Sequence, residues 1–156
     1  MNRQKLMSIY IDGDAFPNLL NKIIFSAINR LEIATFVVSN KPINIGQSNY
    51  MTYILVGAGA DEADDRIVDL VSEEDLVITS DIPLADRVIT KNAYVIDHRG
   101  RVLNENNIKE NLAMRNLMQS LRDGGERTKG PDPFGHKDVQ RFADQLNSFL
   151  MKRVRK

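Results

Sequence analysis

The sequence contains no cysteine and no long apolar run. Without cysteine there can be no disulfide, no thiolate metal site and no thiol nucleophile. No stretch approaches the roughly 18 apolar residues of a membrane-spanning helix, and the basic first six residues lack the apolar core of a signal peptide. We therefore expect a cytoplasmic protein with no membrane partner.

The formal net charge is zero, but the charges are unevenly distributed along the chain. Residues 1–98 carry 8 basic and 14 acidic side chains, whereas residues 99–156 carry 13 and 7. An acidic body with a basic C-terminal part is typical of a metal site beside a polyanion-binding surface. The charge pattern is equally compatible with two parts that only complement each other electrostatically. At 156 residues the chain suits a single domain, with a core at 1–98 and a basic helical part at 99–156.

The first predicted strand ends in two carboxylates. Met7–Ile11 is a short apolar, β-prone run, followed at once by Asp12 and Asp14, and Pro17 is a favourable first residue for a helix. In open α/β sheets ligands bind at the carboxyl ends of strands, so this turn is predicted to be part of a functional site. Alternatively, Asp14 only caps the following helix, which would explain one of the two acids.

Strands and helices are predicted to alternate along the first 98 residues. Hydrophobic periodicity indicates strands at Met7–Ile11, Ile33–Val38, Tyr50–Val56, Asp75–Ser80 and Ala93–Ile96, and helices at Pro17–Leu31, from Asp61 to about Val71, and from Asp81 onward. This order predicts parallel pairing through right-handed crossovers in a three-layer α/β/α sandwich. Further helices are predicted at Glu105–Leu121 and Lys137–Leu150, joined by a Gly/Pro-rich basic loop at 122–135.

More acidic residues follow the later strands. Asp61, Asp64 and Asp65 come after the third strand, and Asp81 comes after the fourth. Because parallel strands end at the same edge, these groups are expected to converge with the first pair. Clustered carboxylates favour hard divalent cations such as Mg²⁺ or Mn²⁺, which support phosphodiester hydrolysis. Helix capping would account for Asp61 and Asp81, but it does not explain Asp64 and Asp65.

The remaining signals are weaker. The stretch Gly57–Ala60 lacks the spacing of a phosphate-binding loop and is predicted to be a tight turn. His98 and His136 lack ligand-like spacing and are interpreted as incidental. Few aromatic residues interleave with the basic ones, which gives little support for base stacking. Phosphate binding is predicted for basic residues of the C-terminal part, with solvated surface charge as the alternative: Arg99, Arg101, Arg122, Arg127 and Lys129.

The chain resembles the YaiI/YqxD family of bacterial proteins. The matching stretches run in order over nearly the whole sequence: Ile11–Ala15 with Pro17, Val37–Asn40, Gly59–Asp64, Asp75–Ala85, Arg99-Gly100, and Gly130-Pro131 with Phe134. It departs from the family at Phe16, where cysteine is usual, and at Asp97-His98, where Asn-Pro is frequent. Neither departure alters the acidic residues.

The resemblance implies a PIN-like α/β fold with an acidic, metal-binding pocket. PIN-domain relatives are typically Mg²⁺- or Mn²⁺-dependent ribonucleases, and by this likeness Asp12, Asp64 and Asp81 take the catalytic and ligand roles. Asp14 and Asp61 are then further ligands or supporting acids. The hypothesis is a metal-dependent nuclease acting on RNA, with one or two ions. The alternatives are a non-catalytic nucleic-acid- or protein-binding module and a phosphatase acting on a small phosphoester.

Overall fold

A six-stranded sheet forms the centre of the computed structural model, which describes residues 7–128, 130 and 132–154. The strand order is β3-β2-β1-β4-β5-β6; β1 to β5 pair in parallel and β6 is antiparallel to β5. The strands are β1 Ile9–Asp12, β2 Thr35–Ser39, β3 Met51–Leu55, β4 Leu76–Ile78, β5 Tyr94–Ile96 and β6 Val102–Leu103. The helices are α1 Asn21–Leu31, α2 Glu62–Leu70, α3 Ile82–Thr90, α4 Ile108–Asp123 and α5 His136–Val154.

The predicted α/β class and the mostly parallel sheet are confirmed, with differences at individual elements. The strand β6 was not predicted, because two residues are too short to show a periodicity. The predicted helix Pro17–Leu31 starts too early, since Pro17 is extended and the next three residues form a separate 3₁₀ turn before α1. The helix predicted from Glu105 begins at Ile108, after a turn in which Asn104 accepts the backbone N–H groups of Asn106 and Asn107.

The sheet is buried on both faces. Along β1, Ile9 and Ile11 pack into the cluster that contains residues of α1 and α5, whereas Tyr10 between them packs into the cluster of α2 and α3. This alternation follows from the two-residue period of a strand, and it places helices on both sides of the sheet. In the described part of the chain, no helix combines the length and the apolar character needed to cross a membrane.

The turn between β5 and β6 supports α5. Both carboxylate oxygens of the buried Asp97 accept hydrogen bonds there, from the backbone N–H groups of Arg99 and Arg101 and from the Arg101 Nε. Gly100 has a φ of +86°, and a Cβ at this position would lie 2.6 Å from the Arg141 carbonyl carbon. The turn therefore requires glycine for two reasons, its backbone conformation and its contact with the backbone of α5.

Comparing Gly100→Ala with the control Gly125→Ala separates the effect of the backbone conformation from the effect of the contact with α5. Gly125 has a nearly equal φ of +85°, but no atom lies within 4 Å of the place that a Cβ would take there. Gly125→Ala should lower the free energy of unfolding by about 1 kcal/mol, and Gly100→Ala by about 3 kcal/mol, because the clash with α5 adds to the strain. Urea unfolding measures both values, and equal losses would contradict the described packing of the turn on α5.

Candidate functional site

The carboxyl ends of β1 and β4 are linked by a buried hydroxyl group. Asp12 is the last residue of β1 and is 8% exposed. Its Oδ2 accepts a hydrogen bond from Thr79 Oγ1 at 2.9 Å, and the same hydroxyl oxygen accepts the backbone N–H of Asp81 at 3.0 Å. Thr79 therefore links Asp12 to the backbone of Asp81. We call the edge of the sheet where the parallel strands β1 to β5 end the carboxyl edge.

Asp81 caps α3, as the capping alternative predicted. Its Oδ1 accepts the backbone N–H of Leu84 at 3.1 Å. An ionised carboxylate has further lone pairs on both oxygens, so a cap does not exhaust its capacity to bind another group. The cap fixes the orientation of the Asp81 side chain at the carboxyl edge, and Asp81 remains exposed to solvent.

Asp14 connects the carboxyl ends of β1 and β2. It lies in the short 3₁₀ turn Gly13–Ala15, and its Oδ1 accepts the backbone N–H of Asn40 at 2.7 Å. The alternative that Asp14 caps the following helix is wrong, because α1 begins only at Asn21. Asp14 instead connects the ends of the adjacent strands β1 and β2 through this hydrogen bond.

The first turn of α2 brings Asp64 to the same group of acids. The pKa of Asp64 is raised to about 7, first by burial and then by the neighbouring carboxylates of Asp81, Asp12 and Asp61 in that order of size. The pKa of Asp12 is also raised, first by burial and then by Asp81 and Asp14, while the hydrogen bond from Thr79 opposes the shift. Acids on β1, on α2 and after β4 therefore lie close enough to repel one another.

Asp61 and Asp65, the other two aspartates that the sequence analysis placed after the third strand, have different surroundings. Asp61 occupies the N-cap position of α2, but its side chain makes no capping hydrogen bond, so the capping explanation fails for it. Asp65 forms an exposed ion pair with Arg87 at 2.9 Å and belongs to the surface. Among the residues that the structure describes, no three acidic or histidine side chains are grouped so that they could hold a metal ion.

His98 lies at the same edge and was not identified from the sequence. It follows β5, is 7% exposed, and packs edge-to-face against Phe16 with ring centroids 5.7 Å apart. Its backbone N–H donates to Ser80 Oγ at 3.1 Å, and within the described residues its buried Nε2 has no hydrogen-bond partner. Burial lowers the pKa of His98 to about 4, with Asp97 opposing the shift, so the ring is neutral at physiological pH. The sequence signal that could have identified His98 was its position shortly after a predicted strand.

Arg99 and Arg101 are engaged in the protein itself. Arg99 Nη1 pairs with the buried Asp138 at 3.0 Å, Nη2 donates to a backbone carbonyl of the Gly/Pro-rich loop, and the guanidinium lies 5.7 Å from the Phe134 ring centroid. Arg101 pairs with the buried Asp97 at 2.7 Å. Arg99 therefore fixes the end of this loop to α5, beside the carboxyl edge.

The other predicted phosphate-binding residues lie farther along the chain. Arg122 is exposed near the end of α4, where it donates to Gln119, and Arg127 is exposed in the loop that follows. Lys129 lies outside the described residues. The structure thus leaves the side chains of Arg122 and Arg127 accessible to a ligand, while Arg99 is mostly enclosed.

The sequence profile described as "Uncharacterized BCR, YaiI/YqxD family" matches residues 10–152. The chain belongs to the YaiI/YqxD family. It is 60% identical over 148 residues to a UPF0178 protein of Sulfurimonas denitrificans, an alignment that covers 95% of this chain and 98% of the relative. A UPF0178 protein of Trichlorobacter lovleyi is 44% identical over 149 residues, covering 96% of this chain and 97% of the relative. No solved structure matches the chain.

The expected family membership is therefore confirmed. The region shared with the YaiI/YqxD profile contains every acidic residue that the sequence predicted for the site. The names of these relatives assign no reaction or ligand, so the chemistry has to be argued from the site.

The raised pKa of Asp64 predicts a pH-dependent effect of Asp64→Asn on stability. The folded-state value of about 7 lies above the ordinary value of 3.8, so the unfolded chain releases this proton first as the pH rises. Stability is therefore lost between about pH 4 and pH 7. The variant should be more stable than the wild type by about 1 kcal/mol at pH 7.5, a value reduced for solvent screening of this half-buried group.

Thermal and urea unfolding at pH 4 and pH 7.5 measure the effect. At pH 4 the two proteins should differ little, because Asp64 is then protonated and neutral. Asp69→Asn, at an exposed position of the same helix, is the control and should show no such pH dependence. If Asp64→Asn were no more stable than the wild type at pH 7.5, the described repulsion would be wrong.

Proposed function

We propose that this YaiI/YqxD protein is a PIN-like, metal-dependent nuclease that hydrolyses RNA phosphodiesters. One observation carries the proposal: Asp12, Asp64 and Asp81 come from three separate elements, and burial together with the neighbouring carboxylates of Asp81, Asp12 and Asp61 raises the pKa of Asp64 to about 7. A protein that only needed caps would not bring a third acid, Asp64, close enough to Asp12 and Asp81 for them to raise its pKa. Acids whose pKa is raised by burial and by neighbouring charges are typical of functional sites.

The donor chemistry fits Mg²⁺ or Mn²⁺. Carboxylate oxygens are the ligands that these hard ions prefer, and a cation among the acids would relieve their repulsion. In the proposal Asp12, Asp64 and Asp81 hold one or two ions, with Asp14 and Asp61 as further ligands or supporting acids. When bound, such an ion lowers the pKa of water and stabilises the leaving oxygen of a phosphodiester.

Hydrogen bonds within the protein hold the side chains of two of the acids in place, and among the described residues the side chain of the third is free of such bonds. Asp12 is held by Thr79 and Asp81 by its cap on α3, whereas Asp64 takes part in no side-chain hydrogen bond within the described part of the chain. Asp64 must lose its proton to bind a cation. Cation binding should therefore strengthen as the pH rises through about 7.

RNA is the favoured substrate because PIN-domain proteins, which the chain is proposed to resemble, are typically ribonucleases, and because the C-terminal part is basic. Phosphate contacts supply most of the non-specific affinity of nucleic-acid-binding proteins. Arg122 and Arg127 remain accessible for such contacts. Arg99 contributes indirectly, since its ion pair with Asp138 and its contact with Phe134 hold the end of the basic loop beside the carboxyl edge.

A binding module without turnover is the second candidate, and one observation favours it. Asp12, Asp14 and Asp81 each already accept a hydrogen bond from the protein, from Thr79, Asn40 and Leu84 respectively. Acids satisfied in this way serve the fold whether or not a cation binds. Salt-sensitive RNA binding without cleavage in Mg²⁺ or Mn²⁺ would support this alternative.

The nuclease proposal predicts that Asp12→Asn and Asp81→Asn each lower Mn²⁺-dependent cleavage of RNA by at least about 100-fold. Asparagine keeps the capping ability of position 81, so α3 should remain folded. Cleavage of a labelled RNA is followed on gels, with Asp69→Asn as the control that should retain activity.

Unchanged cleavage in both site variants would refute the assignment. Turnover of a generic aryl phosphate, without cleavage of RNA, would instead support the phosphatase alternative.

A further inference from the structure

The helices α1 and α5 lie side by side on one face of the sheet and run in the same direction. α1 begins shortly after the acidic turn at the end of β1 and returns the chain to the start of β2. α5 begins beside Arg99, just past the end of β5, and near its end Phe149 packs on Tyr94, the first residue of β5. Both helices therefore lead away from the carboxyl edge.

A groove of about 420 Å³ lies between these two helices. Lys22 and Arg30 of α1 line it, and among the described residues neither forms an ion pair with a carboxylate. Arg30 Nη2 donates only a long hydrogen bond of 3.3 Å to Asn147 Oδ1. Asp144, the one acidic residue among those described as lining the groove, accepts a hydrogen bond from Gln140 at 2.9 Å. The groove thus has an excess of positive charge.

The floor of the groove is apolar. It is formed by Ile23 and Ala27 of α1 and by Ala143 and Leu146 of α5, and the polar side chains of Ser26 and Asn147 also line the groove. Lys22 and Arg30 are eight residues apart on a helix, which corresponds to about 12 Å along its axis. The two cations suit a ligand with anionic groups at intervals along its length, and the floor suits a ligand that also has apolar surfaces. Among biological polymers, a single strand of nucleic acid has this combination, with phosphates alternating with the faces of unpaired bases.

We propose that the α1–α5 groove binds a single strand of nucleic acid as it leaves the carboxyl edge. The two cations contact successive parts of the phosphate backbone, and the apolar floor receives ribose or base faces. Lys22 lies in the first turn of α1, so the near end of the groove follows the segment that carries Asp12 and Asp14. The identification of the strand as substrate rests on the proposed nuclease function, but the binding itself does not require cleavage.

The experiment measures binding of a labelled RNA of about 15 nucleotides by fluorescence anisotropy, with a chelator present so that cleavage cannot interfere. The double variant Lys22→Gln/Arg30→Gln should bind at least tenfold more weakly than the wild type. The slope of log affinity against log salt should fall by about 1.4, because each lost phosphate contact on a single strand contributes about 0.7. The control Lys91→Gln/Lys109→Gln removes two positive charges elsewhere and should leave affinity and slope nearly unchanged.

Three results would overturn the proposal: no binding by the wild type, equal binding by the double variant, or an equal loss in the control. A duplex of the same length that competes as well as the single strand would overturn the assignment to a single strand. Loss of binding in the double variant alone supports the groove, even if no cleavage is ever detected; in that case only the nuclease proposal fails.

Discussion

The parallel pairing of β1 with both β2 and β4 is the constraint on which the candidate site depends. Ile11 is in register with Val37 on one side and with Ile78 on the other. This register places Asp12 next to the residues that follow β4, within reach of the Thr79 hydroxyl. A slip of one residue would turn every side chain of β1 to the opposite face and remove Asp12 from this position.

The site carries an electrostatic cost within this frame. Burial and neighbouring carboxylates raise the pKa of Asp12, and the hydrogen bond from the Thr79 hydroxyl offsets part of this shift. The carboxylate of Asp14 accepts a backbone N–H from Asn40. Asp64 receives no such donor from the described residues, and its pKa is raised to about 7. Under the proposed function, a bound cation would relieve this residual repulsion.

Much of the frame could be predicted from local sequence. The β-prone apolar runs and the helical periodicity located the main strands and helices, and their alternation indicated the parallel sheet. Asp12 and Asp81 were recognisable because they directly follow predicted strands. The start of α1 was not, because Pro17 can begin either an α-helix or the extended entry to a 3₁₀ turn.

The rest depends on contacts between distant parts of the chain. The burial of His98 against Phe16 and the pairing of Arg99 with Asp138 join residues far apart in sequence, and no local pattern predicts these contacts. The same holds for Lys22 and Arg30, whose groove exists only because α5 returns to pack beside α1. Sequence reasoning could therefore place acids after the strands. It assigned Arg99 a phosphate-binding role, but in the structure the Arg99 guanidinium binds Asp138 and a carbonyl of the Gly/Pro-rich loop.

Titration of Mn²⁺ into the wild type and into Asp12→Asn tests the central claim most directly, with binding followed by calorimetry and stability by thermal unfolding on the same samples. The account predicts that the wild type binds Mn²⁺ and unfolds at a higher temperature with it, while the variant does neither. If the wild type neither binds nor gains stability, the carboxylates are caps and surface charge, and the metal-dependent chemistry proposed for this site is wrong.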